Sequence, residues 1–141
     1  MPYIDTSVLA AYYCPEKLSP IVAKALAGLA EPVISPLVEI ELCSALSQKV
    51  RTKDLDAPSA SAILAQFQVH VADGRFRFVE IGSREHQLAR DWLNRFSTPH
   101  RTLDALHLAA AFAYNLELLT ADKILADSAK LLGVRCRRLA P

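Results

Sequence analysis

Short apolar runs alternate with longer helix-patterned segments along the 141-residue chain. This alternation predicts an α/β fold of three layers, α/β/α, with a central parallel sheet covered on both faces. Two further observations refine it. Positions 36–73 hold two consecutive helical patterns, an antiparallel helical hairpin inserted between strands. No internal repeat, low-complexity segment or linker interrupts the sequence, so residues 1–141 read as a single domain.

The elements follow in order. Pro2–Asp5 reads as a short buried strand and Val8–Tyr13 as a brief helix, closed by Pro15 because proline cannot continue the hydrogen-bond ladder. Ser19-Pro20 pairs a cap with a first-turn proline and opens a helix over Ile21–Ala30. Pro32–Ile34 is a second short strand. Ser35-Pro36 repeats the cap and starts a helix to about Lys49 or Arg51. The polar stretch Thr52–Ala57 turns the chain into a helix from Pro58 to about Val71, stopped by Asp73-Gly74. Phe76–Ile81 alternates apolar and polar residues and reads as a third strand. Ser83 can cap a helix through about Phe96, with Glu85 near the capping-box position without matching it. After the loop Ser97–Arg101 come a helix over Thr102–Tyr114, a strand at Glu117–Leu119, a helix over Lys123–Leu132 capped by Gly133, and a last strand at Val134–Arg137.

Composition excludes several classes of function. No apolar run is long enough for a transmembrane helix, and the N-terminus carries neither a basic region nor an apolar signal core. A cytoplasmic location is the expectation. The formal net charge of +1 gives no global attraction for nucleic acid, so any such contact needs a local patch. Arg135-Cys136-Arg137-Arg138 reads as the solvated end of the last strand, whereas Arg101 and Lys123, each beside a candidate acid, are better placed for phosphate. Cys14, Cys43 and Cys136 follow no metal or redox spacing and read as reduced, buried and structural. The histidines His70, His86, His100 and His107 form no zinc-type pair. The four glycines, Gly28, Gly74, Gly82 and Gly133, make no phosphate loop.

Four carboxylates stand where strand-like runs give way to helix starts: Asp5, Glu41, Asp104 and Asp122. In an open parallel sheet the carboxyl ends of the strands and the following helix N-termini share one edge, where ligands bind. Carboxylates crowded there repel and take up protons unless a cation neutralises them. Hard divalent cations, Mg²⁺ or Mn²⁺, held by carboxylate oxygens and water, answer that need. The pattern points to a metal-dependent enzyme that cuts phosphodiesters.

Ile4-Asp5-Thr6-Ser7-Val8-Leu9, Ile34-Ser35-Pro36-Leu37 leading to Glu41, Leu103-Asp104-Ala105-Leu106-His107-Leu108-Ala109 and Leu119-Thr120-Ala121-Asp122 occur in that order. Together they resemble a PIN-domain protein, and among these a VapC-type toxin ribonuclease of a bacterial toxin–antitoxin pair. The resemblance spans essentially the whole chain. It implies a PIN-like sandwich of helices around a parallel sheet, Mg²⁺ or Mn²⁺, RNA cleavage, inhibition by a small antitoxin and pairing of two toxin chains.

Each candidate also has a plainer reading. Asp5, Asp104 and Asp122 are favourable helix N-terminal acids. Glu39 and Glu41 point about 200° apart on one helix, so both cannot face one pocket; periodicity does not choose between them, and the resemblance favours Glu41. Ser7 is either a hydroxyl near the metal or a first-turn cap, and Thr120 offers another hydroxyl. His107, one turn beyond Asp104, reads as a buried, hydrogen-bonded histidine before a general base, because metal-bound water needs no histidine. Trp92 with Leu88, Ala89 and Phe96 reads as a core stripe.

The leading expectation is a metal-dependent endoribonuclease acting on single-stranded or looped RNA. The alternative is a catalytically silent PIN-type module that binds RNA or a partner. A phosphatase with a first-strand aspartate nucleophile is disfavoured, because Asp5-Thr6-Ser7 lacks a second acid two residues on. Apolar residues of the hairpin (Leu42, Leu46, Val50, Leu55, Ile63, Leu64 and Phe67) suggest a surplus apolar surface that marks an interaction site, and the resemblance implies that an amphipathic antitoxin helix docks there.

Overall fold

The structure, a computed structural model, describes residues Met1–Pro141. Its elements are β1 (Pro2–Ile4), α1 (Thr6–Tyr13), α2 (Ser19–Ala27), β2 (Val33–Ile34), α3 (Pro36–Arg51), α4 (Ala57–Ala72), β3 (Arg77–Phe78), α5 (Ser83–Leu93), α6 (Thr102–Ala113), β4 (Glu117–Thr120), α7 (Lys123–Leu132) and β5 (Cys136–Arg138). The strands form one sheet in the order β3-β2-β1-β4-β5, with every pair parallel. This is the expected α/β architecture, and α3 with α4 forms the inserted hairpin.

The strand order determines where a site can lie. From β1 the chain moves outward to β2 and β3, then returns across β1 to β4 and β5. Right-handed crossovers put the helices of the two excursions on opposite faces. The sheet therefore reverses its direction of growth between β1 and β4, which pair Ile4 with Leu119. A crevice opens beyond the strand ends at such a reversal. Asp5 and the Thr120-Ala121-Asp122 turn stand there.

Burial explains why these runs form strands. Tyr3, Ile4, Val33, Ile34, Leu118 and Leu119 are wholly buried, as strands covered on both faces require. Val8, Leu9, Val38, Leu42 and Leu108 close over them from α1, α3 and α6.

Several local expectations are corrected. Helix α2 starts at Ser19 with Leu18 as its cap residue. The Ser19 hydroxyl instead accepts from Glu16 N at 2.8 Å and donates to Ala11 O at 2.6 Å, fastening the α1–α2 turn. Strand β3 is only Arg77–Phe78, both exposed, because its one neighbour β2 offers two residues to pair. Glu85 does complete a cap, accepting from Gly82 N at 2.9 Å, with Gly82 rather than Ser83 as the cap residue. Helix α5 ends at Leu93, so Phe96 lies outside it with φ 53° and 91% exposure, no part of the Trp92 stripe. Cys43 is exposed on α3 and Cys136 half-buried, so only Cys14 fits the buried reading; all three are free thiols. Leu42, Leu46 and Phe67 are buried, and Val50, Leu55, Ile63 and Leu64 pack against the core. These seven residues thus hold the hairpin to the body, and its exposed apolar surface comes instead from Ile40 and Val69.

Candidate active site

Asp5 follows the central strand directly and caps α1, accepting from Val8 N at 3.3 Å. Its side chain is enclosed, with the residue 4% exposed. Ser7 Oγ donates to Oδ1 at 2.6 Å and Thr120 Oγ1 to Oδ2 at 2.7 Å. Burial pushes the Asp5 carboxyl above its usual range, against the hydrogen bonds of Ser7 and Thr120, the charge of His107 and the Val8 amide. No lysine or arginine pairs with it. A buried carboxylate served only by neutral donors favours any arriving cation.

Thr120 and Ser7 link Asp5 to the next turn. Ala121 N donates to Ser7 Oγ at 2.9 Å and Asp122 N to Thr120 Oγ1 at 3.0 Å. Both hydroxyls predicted near a metal are thus committed to the aspartate itself. Asp122 caps α7 through Oδ1, which accepts from Ile124 N at 2.8 Å and Leu125 N at 3.2 Å. Its Oδ2 has no protein hydrogen bond.

Glu41 reaches the same region from the second turn of α3. Thr6 Oγ1 donates to its Oε1 at 2.9 Å, and His107 Nε2 bonds the same oxygen. Burial alone would raise the Glu41 carboxyl; the hydrogen bond and charge of His107, with Thr6, outweigh burial and hold it below the usual range. His107 is buried, with Nδ1 2.8 Å from the Tyr3 hydroxyl, which lies 2.7 Å from Ser35 Oγ. Burial pushes the Tyr3 phenol far up, and the charges of both Glu41 and Asp5 add to the rise, so both acids lie within electrostatic reach of one hydroxyl.

Asp104 stands apart in its bonding. Its Oδ2 accepts weakly from Arg101 N at 3.5 Å, capping its own helix, and no bond ties it to the other three acids. The helix that carries it nevertheless reaches this edge, because His107, one turn later on α6, bonds Glu41. Glu39, the rival to Glu41, has no hydrogen bond to this network.

Tyr3, Thr6 and Ser35 were not expected here. Ser35 was expected to cap α3, yet its side chain makes no cap bond and turns to Tyr3. The one available signal was Tyr3 itself: a tyrosine in a buried strand needs a partner for its hydroxyl.

No three histidine, cysteine, aspartate or glutamate side chains stand grouped as a ready-made metal cluster. The donor chemistry nevertheless suits a hard cation. Mg²⁺ keeps several waters and takes one or two carboxylates, without needing an all-protein cage. A cleft of about 370 Å³ is lined by Pro36, Leu37, Ile40, Glu80, Ile81, His86 and Leu106, so it includes the chain neighbours of Glu41 and His107. It contains none of the four acids, and Ile40 within it is 67% exposed.

The PIN domain family model matches residues 3–131, and the chain belongs to that family. No curated protein matches it in sequence. Among solved structures, FitAcB from Neisseria gonorrhoeae is 16% identical with a TM-score of 0.75, covering 96% of each chain. VapC20 from Mycobacterium tuberculosis, a toxin that cleaves the sarcin–ricin loop, is 17% identical with a TM-score of 0.73, covering 91% of this chain and 95% of its own. VapBC2 from Rickettsia felis, solved with a DNA fragment of its promoter, is 16% identical with a TM-score of 0.71, covering 99% of this chain and all of that one. At these identities the likeness is one of fold. No helix is long and apolar enough to cross a membrane.

Proposed function

We propose that this chain is a divalent-metal-dependent endoribonuclease, the toxin of a toxin–antitoxin pair. The observation that carries the reading is Asp5, a nearly enclosed carboxylate with no cationic partner at the reversal point of a parallel sheet. Asp5, Glu41, Asp104 and Asp122 are the residues assigned to hold Mg²⁺ or Mn²⁺. Three of them keep an oxygen free of protein hydrogen bonds: Glu41 Oε2, Asp104 Oδ1 and Asp122 Oδ2.

Bound there, the metal supplies Lewis acidity and an activated water for in-line attack on a phosphodiester. The protein's part is orientation. Ser7 and Thr120 hold Asp5, Thr6 and His107 hold Glu41, and the half-exposed rim admits a flexible RNA backbone. Arg101 is exposed beside Asp104 and without an ion-pair partner, suiting contact with phosphate. Lys123 is instead paired with Asp127 at 2.8 Å.

The toxin reading draws on the PIN assignment together with the fold shared with VapC20 and the VapBC2 toxin. A small antitoxin and a second copy of the chain are the proposed protein partners. The apolar cleft beside Glu41 and His107 suits an amphipathic antitoxin helix.

A second reading, a catalytically silent partner-binding module, draws on Asp104 and Asp122 being engaged as helix caps. One experiment separates the two. Purified wild-type protein, with Mn²⁺ or Mg²⁺, is expected to cleave single-stranded RNA; EDTA or Asp5→Asn is expected to abolish the cleavage. Unchanged cleavage by Asp5→Asn overturns the mechanism, and a silent wild type favours the second reading.

A further inference from the structure

Glu41 is held by one oxygen only. Oε1 accepts from Thr6 Oγ1 and from His107 Nε2, while Oε2 has no protein partner. Behind His107 stands the wholly buried Tyr3, and behind Tyr3 stands Ser35. Ser35 immediately precedes α3, the helix that carries Glu41. The path therefore leaves α3 at its start, crosses β1 and α6, and returns to α3 on its second turn.

The protons give this path a direction. An ionised carboxylate has no proton to give, so the bond to Glu41 requires one on Nε2. In a neutral imidazole Nδ1 must then accept, and the Tyr3 hydroxyl is its donor at 2.8 Å. With its only proton used, the Tyr3 oxygen accepts from Ser35, whose hydroxyl has no other partner. A doubly protonated ring keeps the bond to Glu41 and reverses only the two behind it. In either state Oε1 is committed and Oε2 is left.

We propose that Ser35, Tyr3 and His107 are positioning residues that fix the Glu41 carboxylate so that Oε2 alone faces the divalent cation. The inference rests on the metal site proposed above. A carboxylate offered through one oxygen would leave room at a bound cation for water and an RNA phosphate. Asp104 and Asp122 have no such chain behind them, since their bonds run to their own helix backbone.

The test is Mn²⁺ binding by calorimetry on the purified chain without RNA, with melting temperature recorded alongside. Partners behind a metal ligand are typically worth 10–100-fold in metal affinity. Tyr3→Phe removes one hydroxyl and keeps the ring, and is expected to weaken Mn²⁺ binding about 10-fold. His107→Gln places an amide N–H near the position of Nε2 without needing an acceptor behind it. In that background Tyr3→Phe is expected to change affinity less than about 2-fold, because the coupled partner is gone.

A merely structural role lowers the melting temperature and leaves the affinity of the folded protein unchanged; equal affinity of wild type and Tyr3→Phe overturns the inference alone. Persistence of the full loss in the His107→Gln background also overturns it. If Tyr3→Phe does not fold, His107→Leu against His107→Gln decides: only the leucine is expected to lose about 10-fold, and equal affinities overturn the relay. A wild type that binds no Mn²⁺ overturns the metal site itself and the relay with it.

Discussion

Thr120 Oγ1 donates to Asp5 Oδ2 at 2.7 Å although 115 positions separate them in the chain. The bond joins the ends of β1 and β4, the two strands between which the sheet reverses its growth. It also sets the turn that follows, because the same Thr120 oxygen accepts from Asp122 N at 3.0 Å. One hydroxyl thus orients one acid and places the backbone of another.

Thr120→Val keeps the shape and removes the hydroxyl. Loss of a partner behind a metal ligand predicts RNA cleavage or metal affinity reduced about 10-fold or more. The stranded Asp122 amide predicts a stability loss of about 1 kcal/mol. Cleavage rates and denaturant unfolding measure the two separately; full activity in Thr120→Val would remove Thr120 from the site.

Burial holds the Asp5 carboxyl above its usual range, so its ionised form opposes folding until a cation compensates. Mn²⁺ is therefore expected to raise the melting temperature of wild type by several degrees, as binding to the native state alone must. Asp5→Asn carries no such charge and is expected to lose that response while being at least as stable as metal-free wild type. A thermal shift series against Mn²⁺ concentration checks both.

Glu39 and Glu41 are distinguished by their bonds, not by their helix. Glu41→Gln is expected to lower RNA cleavage at least 100-fold, by analogy with removing a positioned charge from a reacting centre, about 10²–10³-fold. Glu39→Gln is expected to stay within about 2-fold of wild type, as distant, unshared sites do. Reversed outcomes would move the site along α3 by two residues.

His70 is buried, with Tyr13 Oη 2.6 Å from Nδ1 and Gln66 2.8 Å from Nε2. Burial, and then the charge of Arg75, pull its pKa below the ordinary 6.5. The unfolded chain therefore takes up this proton at a higher pH than the folded one. Stability is present in full above pH 6.5 and falls as pH drops from there toward the lowered folded value. His100, lowered by burial, contributes in the same direction. Urea unfolding between pH 7.5 and 5 (on the order of the histidine range) is expected to show this loss, with a shallower slope in His70→Gln.

Ile40, exposed at the cleft beside Glu41, is the residue to probe for antitoxin docking. Ile40→Asp touches no core contact and is expected to fold normally yet release the antitoxin on co-purification. Full retention of the antitoxin would place the interface on another face.

Legibility differed by the range of the interaction. Alternating patterns revealed the strands and helices because burial repeats every two or 3.6 residues within a few turns. Gly133 could be read as the α7 cap, and its φ of 74° agrees. Boundaries set by partners could not be read: β3 is short because β2 is short, and Ser19 and Ser35 bond groups outside their own helices. Leu42, Leu46 and Phe67 looked like surplus because a sequence does not say how much core lies beneath a helix.

By itself the sequence determined the α/β class, the single run of parallel strands and helices, and four acids placed at strand ends and helix starts. Local pattern and helix-start chemistry suffice for those. Only the tertiary structure decided that Thr120 serves Asp5 and that Tyr3 and His107 stand behind Glu41. A hydrogen bond depends on which atoms the fold brings within about 3 Å, and no spacing along the chain encodes that distance.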